Sequence, residues 1–129
     1  MKRILITLLV IILLTSCGVP QDELGYKQIS MAEAIEIMDS EEGYVILDVR
    51  TAEEFQEKHI PGGINVPNEE IGTDSIEELP DKEQLILVYC RSGNRSKQAS
   101  EKLVDLGYTN IVEFGGINDW TGETVSENS

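Results

Sequence analysis

The chain has 129 residues, the length of one domain, and a formal net charge of −14. So acidic a chain argues against nucleic acid and against binding to anionic lipid through a basic face, and an anionic substrate must be drawn in by a local positive site. Only 5% of residues are aromatic while 40% are hydrophobic, a balance that suits a parallel sheet covered by helices.

Met1-Lys2-Arg3 is a cationic start, followed by a predominantly apolar run of eleven residues from Ile4 to Leu14. That is the length of a signal-peptide core, short of the about 20 residues a transmembrane helix needs. Leu14-Thr15-Ser16-Cys17 behind it resembles a bacterial lipobox. The resemblance implies cleavage of residues 1–16, acylation of Cys17, and a lipid-anchored protein of the bacterial cell envelope on the extracytoplasmic side of a membrane. Two or more acyl chains would hold it stably, at about 0.8 kcal/mol per buried methylene. The mature chain would carry eight basic and 24 acidic residues, a net −16. With Cys17 a thioether, Cys90 is the only thiol left. An unpaired cysteine in an exported protein points to reactivity. Residues 17–25 read as the lipidated tether, with 18–25 reaching at most about 29 Å, residues 26–122 as the folded domain, and 123–129 as a polar tail that frays from Thr121 onward.

Tyr26 to Ile29 reads as a short strand. Ser30 and Glu33 form a capping box for a helix with Ala34, Ile35 and Met38 inward, ending near Gly43. Tyr44 to Leu47 is a buried strand closed by Asp48-Val49-Arg50. Thr51 and Glu54 open a second, short helix running to about Lys58. His59 to Gly63 is a loop, and Ile64 to Val66 a strand stopped by Pro67. Residues 68–79 suggest a weak acidic helix of about two turns, with Ile71, Ile76 and Leu79 inward. After a turn at Pro80–Glu83 comes the apolar strand 85–89, then Cys90-Arg91-Ser92-Gly93-Asn94-Arg95-Ser96. A helix beginning there carries Ala99, Leu103, Val104 and Leu106 on one side and ends at Gly107. Asn110 to Phe114 is a last strand, and Gly115 to Trp120 opens a final short helix.

Strands alternating with helices predict an α/β fold with right-handed crossovers and a parallel sheet between two helical layers. Ligands of such sheets bind beyond the carboxyl ends of the strands, where Asp48, the His59 loop and Cys90 all fall. Strand, tight glycine loop and helix N-terminus together aim successive backbone N–H groups into one concavity. A thiolate there lies in a positive field, to which Arg91 and Arg95 add. Taken alone, the same stretch also fits a buried strand-end cysteine behind an ordinary turn.

Four spaced motifs decide between those readings. Asp48-Val49-Arg50 with Glu54-Phe55, then His59-Ile60-Pro61-Gly62, then Cys90 through Ser96, and Gly115-Gly116 with Trp120 resemble those of a single-domain rhodanese, over residues 28–120. The resemblance implies a rhodanese-like α/β fold: a central, mostly parallel five-stranded sheet with helices on both faces. It also implies a sulfurtransferase that carries a sulfane sulfur as a persulfide on Cys90. The donor would be thiosulfate or a persulfide or polysulfide, and the acceptor a thiol or cyanide. The loop Arg91, Ser92, Gly93, Asn94, Arg95, Ser96 would cradle the persulfide and the anionic donor. Arg91 would attract substrate, and Arg95 would both hold the loop and face the anion.

Sulfur transfer needs a soft nucleophile that ionises itself, so no general base is required, and a chain with one histidine suffices. Asp48, Arg50 and His59 read as structural support of the site, Glu54 as the capping-box acid, and Trp120 as core packing. No metal and no cofactor are implied, and the protein is expected to be a monomer. Two departures stand out: Lys58 replaces the glycine usual before His59, which puts the end of that helix in question, and Gly63 replaces the usual alanine.

The alternatives belong to other classes. Cysteine phosphatases and arsenate reductases close a cysteine loop with arginine too, but the phosphatase loop holds one residue more than the four between Cys90 and Arg95. A non-enzymatic binding module of this family would usually lack the cysteine. A thiol-redox module would use Cys90 in transient mixed disulfides.

Overall fold

A computed structural model of the chain describes residues 24–127. The proposed signal peptide, Cys17 and most of the tether lie outside the described residues. Five parallel strands form one sheet: β1 (Lys27–Gln28), β2 (Val45–Asp48), β3 (Ile64–Asn65), β4 (Ile86–Cys90) and β5 (Ile111–Gly116), in spatial order β1-β5-β4-β2-β3. Helices α1 (Met31–Ser40), α2 (Ala52–Glu57) and α3 (Asn94–Asp105) complete the layers. The expected α/β architecture is therefore what the chain adopts.

Alternation along the central strands sorts side chains to two cores. Leu47, Ile86, Val88, Cys90 and Ile111 join Ala99 and Leu103 of α3 on one face. Ile46, Leu87, Tyr89, Val112 and Phe114 join Ala34 of α1 on the other. Leu24, just before β1, also packs against the first core. β4 is buried at every position, which follows from its place at the centre of the sheet with both faces covered.

Both capping boxes form. Ser30 and Thr51 accept from the backbone N–H groups of Glu33 and Glu54, whose carboxylates accept in return. Lys58 is well suited to end α2: its backbone is extended at φ −165°, so no glycine is required there.

Three expectations are corrected. Residues 68–79 do not form a two-turn helix; a single 3₁₀ turn spans Asn68–Glu70 and irregular chain follows. Glu70, Asp74 and Glu78 would repel at successive i,i+4 positions of a helix, and Gly72 would weaken its middle. Ile71, Ile76 and Leu79 are nonetheless buried. At the C-terminal end, Gly115 and Gly116 extend β5, and only Ile117–Asp119 turn as a 3₁₀ helix. Finally, the segment after Thr121 is held: Val125 and His59 exchange two backbone hydrogen bonds of 2.9 Å, and Glu127 N–H donates to the Gln56 carbonyl.

Two ion pairs tie together the elements around the end of β4. Asp48 and Arg50 are almost fully buried, at 0% and 3% exposure. The Asp48 carboxylate accepts from Arg50 N–H, Nε and Nη2, the last at 2.6 Å, and Nη2 also donates to the Lys58 carbonyl at 2.7 Å. The Arg50 guanidinium thus locks β2 to the end of α2. The second pair joins α2 to α3: Glu54 accepts from Arg95 Nη1 at 2.6 Å and Nη2 at 3.0 Å. Hydrogen bonding from Arg95, opposed by partial burial and aided by the arginine's charge and by Thr51, holds the Glu54 carboxyl down at about 2 instead of 4.5.

Replacing Arg50 by Ala should leave a buried carboxylate without its partner and lower the unfolding free energy by about 3–5 kcal/mol, measured by urea denaturation. A loss within experimental error would show that Asp48 is not charged against Arg50. For Glu54 the folded-state value lies below the ordinary one, so its contribution is complete above about pH 4.5 and disappears as pH falls toward 2. Thermal melts of wild type and Glu54→Gln should accordingly differ by at most about 3 kcal/mol at pH 7 and converge near pH 2. A difference independent of pH would refute this assignment.

Candidate active site

β4 ends at Cys90, and the ladder to β5 is irregular there: Val88 faces Glu113, while Cys90 faces Gly116. The irregularity turns the strand end so that the loop Arg91-Ser92-Gly93 can fold back over it before α3 begins at Asn94. Gly93 makes the turn possible, with φ +112°, a left-handed conformation that side chains disfavour. Its N–H points back at the sulfur and donates to Cys90 Sγ at 2.9 Å. The floor of the loop is shaped by Gly116, where an added Cβ would lie 2.0 Å from the Arg91 carbonyl oxygen. Asn118 N–H donates to that same carbonyl.

The cradle residues divide by depth. Ser92 and Asn94 are exposed at the rim. The Arg91 side chain is 59% exposed and touches Glu54 Oε2 only at 3.4 Å. Arg95 is 28% exposed and bidentate on Glu54. Its guanidinium is raised above its usual range mainly by Glu54, with a smaller contribution from the Cys90 sulfur. Glu54, read from sequence as a cap alone, is both a cap and the anchor of the two loop arginines.

Cys90 and Ser96 are buried at 1% and 0%. The thiol donates to Ser96 Oγ at 3.4 Å, and the Ser96 hydroxyl has Gly93 O, Glu113 Oε1 and Gly115 O as acceptors, with Glu113 nearest at 2.6 Å. Glu113 is a site residue that the sequence reading missed. The signal was present, since it is a lone acid inside the strand Ile111-Val112-Glu113-Phe114, at an alternate position that points toward α3. Gly116 was recognised only as part of a motif, without its role under the loop.

Asp48, Arg50 and His59 lie around the site without a hydrogen bond to the sulfur. His59 Nδ1 donates to the Phe55 carbonyl at 2.8 Å, which places its proton on Nδ1, and the ring stacks on Phe55 at 3.7 Å. Tyr89 lies next to Arg50 and accepts from Ile60 N–H. Its hydroxyl is pushed well above its usual range by burial first and by Asp48 next. Among the described residues, no group of three or more His, Cys, Asp or Glu is placed to hold a metal ion. What the arrangement can do is hold one sulfur nucleophile, with a backbone donor on it, beneath a rim of two arginines.

The chain is similar in sequence and fold to known proteins. The family profile "Rhodanese-like domain" matches residues 30–123. Thiosulfate sulfurtransferase PspE of Escherichia coli is 40% identical over 73 residues, 57% of this chain and 70% of that protein. Thiosulfate sulfurtransferase GlpE of Coxiella burnetii is 34% identical over 96 residues, covering 74% and 87%. The chain spans only 22% of Adenylyltransferase and sulfurtransferase UBA4 of Candida albicans, at 36% identity over 70% of its own length. A solved structure described as a rhodanese with anions from E. coli superposes with a TM-score of 0.59 at 36% identity, over 64% of this chain and 98% of that one. With the strand-end cysteine, its glycine loop and the five-stranded parallel sheet, these matches make the chain a member of the rhodanese-like family.

Proposed function

We propose that the protein is a sulfurtransferase of the thiosulfate sulfurtransferase type, with Cys90 as nucleophile. The observation that carries this reading is the Gly93 N–H on Cys90 Sγ at 2.9 Å, in a loop closed five positions on by Arg95. A donor aimed at sulfur stabilises negative charge on it, first on the thiolate and then on the terminal sulfur of a persulfide. In the first half-reaction the Cys90 thiolate attacks the outer sulfur of thiosulfate, or the sulfane sulfur of a persulfide or polysulfide. A new S–S bond forms at Sγ, and the old one breaks with its electron pair leaving on sulfite or on the donor thiolate. In the second, a thiol or cyanide attacks the outer sulfur, and the Cys90 thiolate departs.

The rim arginines meet the anionic donor on a chain whose overall charge repels it. Ser92, Gly93 and Asn94 contribute loop backbone, and Asp48, Arg50 and His59 hold the strand ends in place. We further propose that residues 1–16 are a lipoprotein signal peptide and that acylated Cys17 tethers the domain outside the cytoplasm, so that donor and acceptor are met at a membrane surface.

Mass spectrometry of the purified protein after thiosulfate or polysulfide treatment should show one added sulfur, about 32 Da, on the Cys90 peptide, lost on adding cyanide. Cys90→Ser should abolish transfer while keeping the wild-type melting temperature, because the cradle is backbone. Measurable transfer by that variant, or no adduct from any sulfane donor, refutes the reading. Arg95→Ala should lower the transfer rate by about tenfold, equivalent to about 1.4 kcal/mol, and the exposed Arg91→Ala by no more than about threefold. Equal or reversed losses in steady-state assays would overturn that ranking.

A further inference from the structure

Glu113 is 3% exposed, and among the described residues no Lys, Arg or His side chain forms an ion pair with it. A buried carboxyl group without a cation is costly to charge, so its retention beside a nucleophile calls for a use. Its Oε1 accepts from Gly115 N–H at 2.8 Å and from Ser96 Oγ at 2.6 Å. Ser96 has a single proton to give, and the short contact to a carboxylate takes it in preference to the Gly93 carbonyl at 2.9 Å. With that proton directed away, the Ser96 lone pairs face the Cys90 thiol, which donates to Oγ. The chain Cys90–Ser96–Glu113 is therefore polarised in one direction, from thiol to carboxylate, wholly within the protein.

Resting on the sulfurtransferase reading, we propose that Glu113 is a positioning residue that receives the Cys90 proton through Ser96, so that one negative charge is shared between carboxylate and sulfur. In the step, the thiol proton passes to Ser96 Oγ as the Ser96 proton passes to Glu113 Oε1. The electron pair stays on Sγ, and nothing is oxidised or reduced. The chain then runs backwards: the Glu113 acid donates to Ser96, and Ser96 joins Gly93 N–H in donating to the sulfur. Two adjacent buried anions would repel strongly, so the pair accommodates a single negative charge more readily than two.

The groups facing this pair are few. Gln28 of β1, opposite Glu113 in the ladder, is neutral, and Val88 of β4 is apolar. Tyr26, ahead of β1, has its hydroxyl raised by its own burial, opposed by Gln28, and further by the charges of Glu101 on α3 and Glu113. Arg95, in the first turn of α3, is the cation that feels Cys90.

The test is the rate of iodoacetamide alkylation at Cys90 against pH, read on the Cys90 peptide of the full chain, which reports the thiolate without sulfur transfer. Wild type should rise in two steps separated by more than about one pH unit, with a plateau where the shared charge is divided between the two sites. Glu113→Gln, which keeps the shape and both hydrogen-bond acceptances, should collapse the profile to one step. A single step in wild type overturns the proposal even if that variant fails to fold, and a two-step profile unchanged in a folded Glu113→Gln also overturns it. A persulfide on Cys90 together with a one-step profile would sink this inference alone and leave the sulfurtransferase reading standing.

Discussion

The constraint on which the structure depends is that Cys90, only 1% exposed at the end of the central strand, would have to bear negative charge on its sulfur under the proposed sulfurtransferase reading. Water is the ordinary solvent for a charged group, and around so buried a side chain only fixed dipoles held by the fold can take its place. Gly93 supplies one N–H directly, and the start of α3 adds the field of a twelve-residue helix. The loop can take that shape only because β5 lies close behind it, with a bare Gly116 under the Arg91 carbonyl. Sheet topology, glycine placement and helix direction all serve one atom at the end of the central strand.

The charges around that atom are arranged in layers of decreasing burial. Asp48 and Arg50 neutralise each other completely within the protein and connect β2 to the end of α2. Glu54 stands at the boundary: it caps its own helix and reaches across to Arg95, so that a local helix signal and a long-range contact use the same carboxylate. Arg91 is left reaching into solvent. The positive charge of the mouth is thus partly neutralised from within, by the Glu54 carboxylate that both loop arginines meet.

Much of this was legible in the sequence. β-branched and apolar runs marked the three central strands, and the paired Ser30/Glu33 and Thr51/Glu54 signatures placed two helix starts where they occur. The order of four motifs pointed to the fold and to Cys90. Contacts between distant residues were the part not legible. Nothing local to Glu54 reports Arg95, 41 positions away, and nothing local to Val125 announces a bridge to His59. Asn68 looked like the start of a helix, whereas its side chain is bound to Gln98 and Lys102 of α3. The lone acid of β5 could have been found, because alternation alone puts it on a buried face. Charged residues are mostly exposed, so its burial is the less common outcome for such a residue.

Gly116 has a meaning beyond close packing. The cradle is a two-piece mould, one half being the loop and the other a bare stretch of β5. Its gauge is therefore recorded twice in the polypeptide, and the two records must agree. Adding a residue to the loop would not by itself widen the seat, since the back wall would still stand where β5 puts it. Changing the size of the group that fits there calls for coordinated change in both segments, which makes the present width a stable trait under single substitutions.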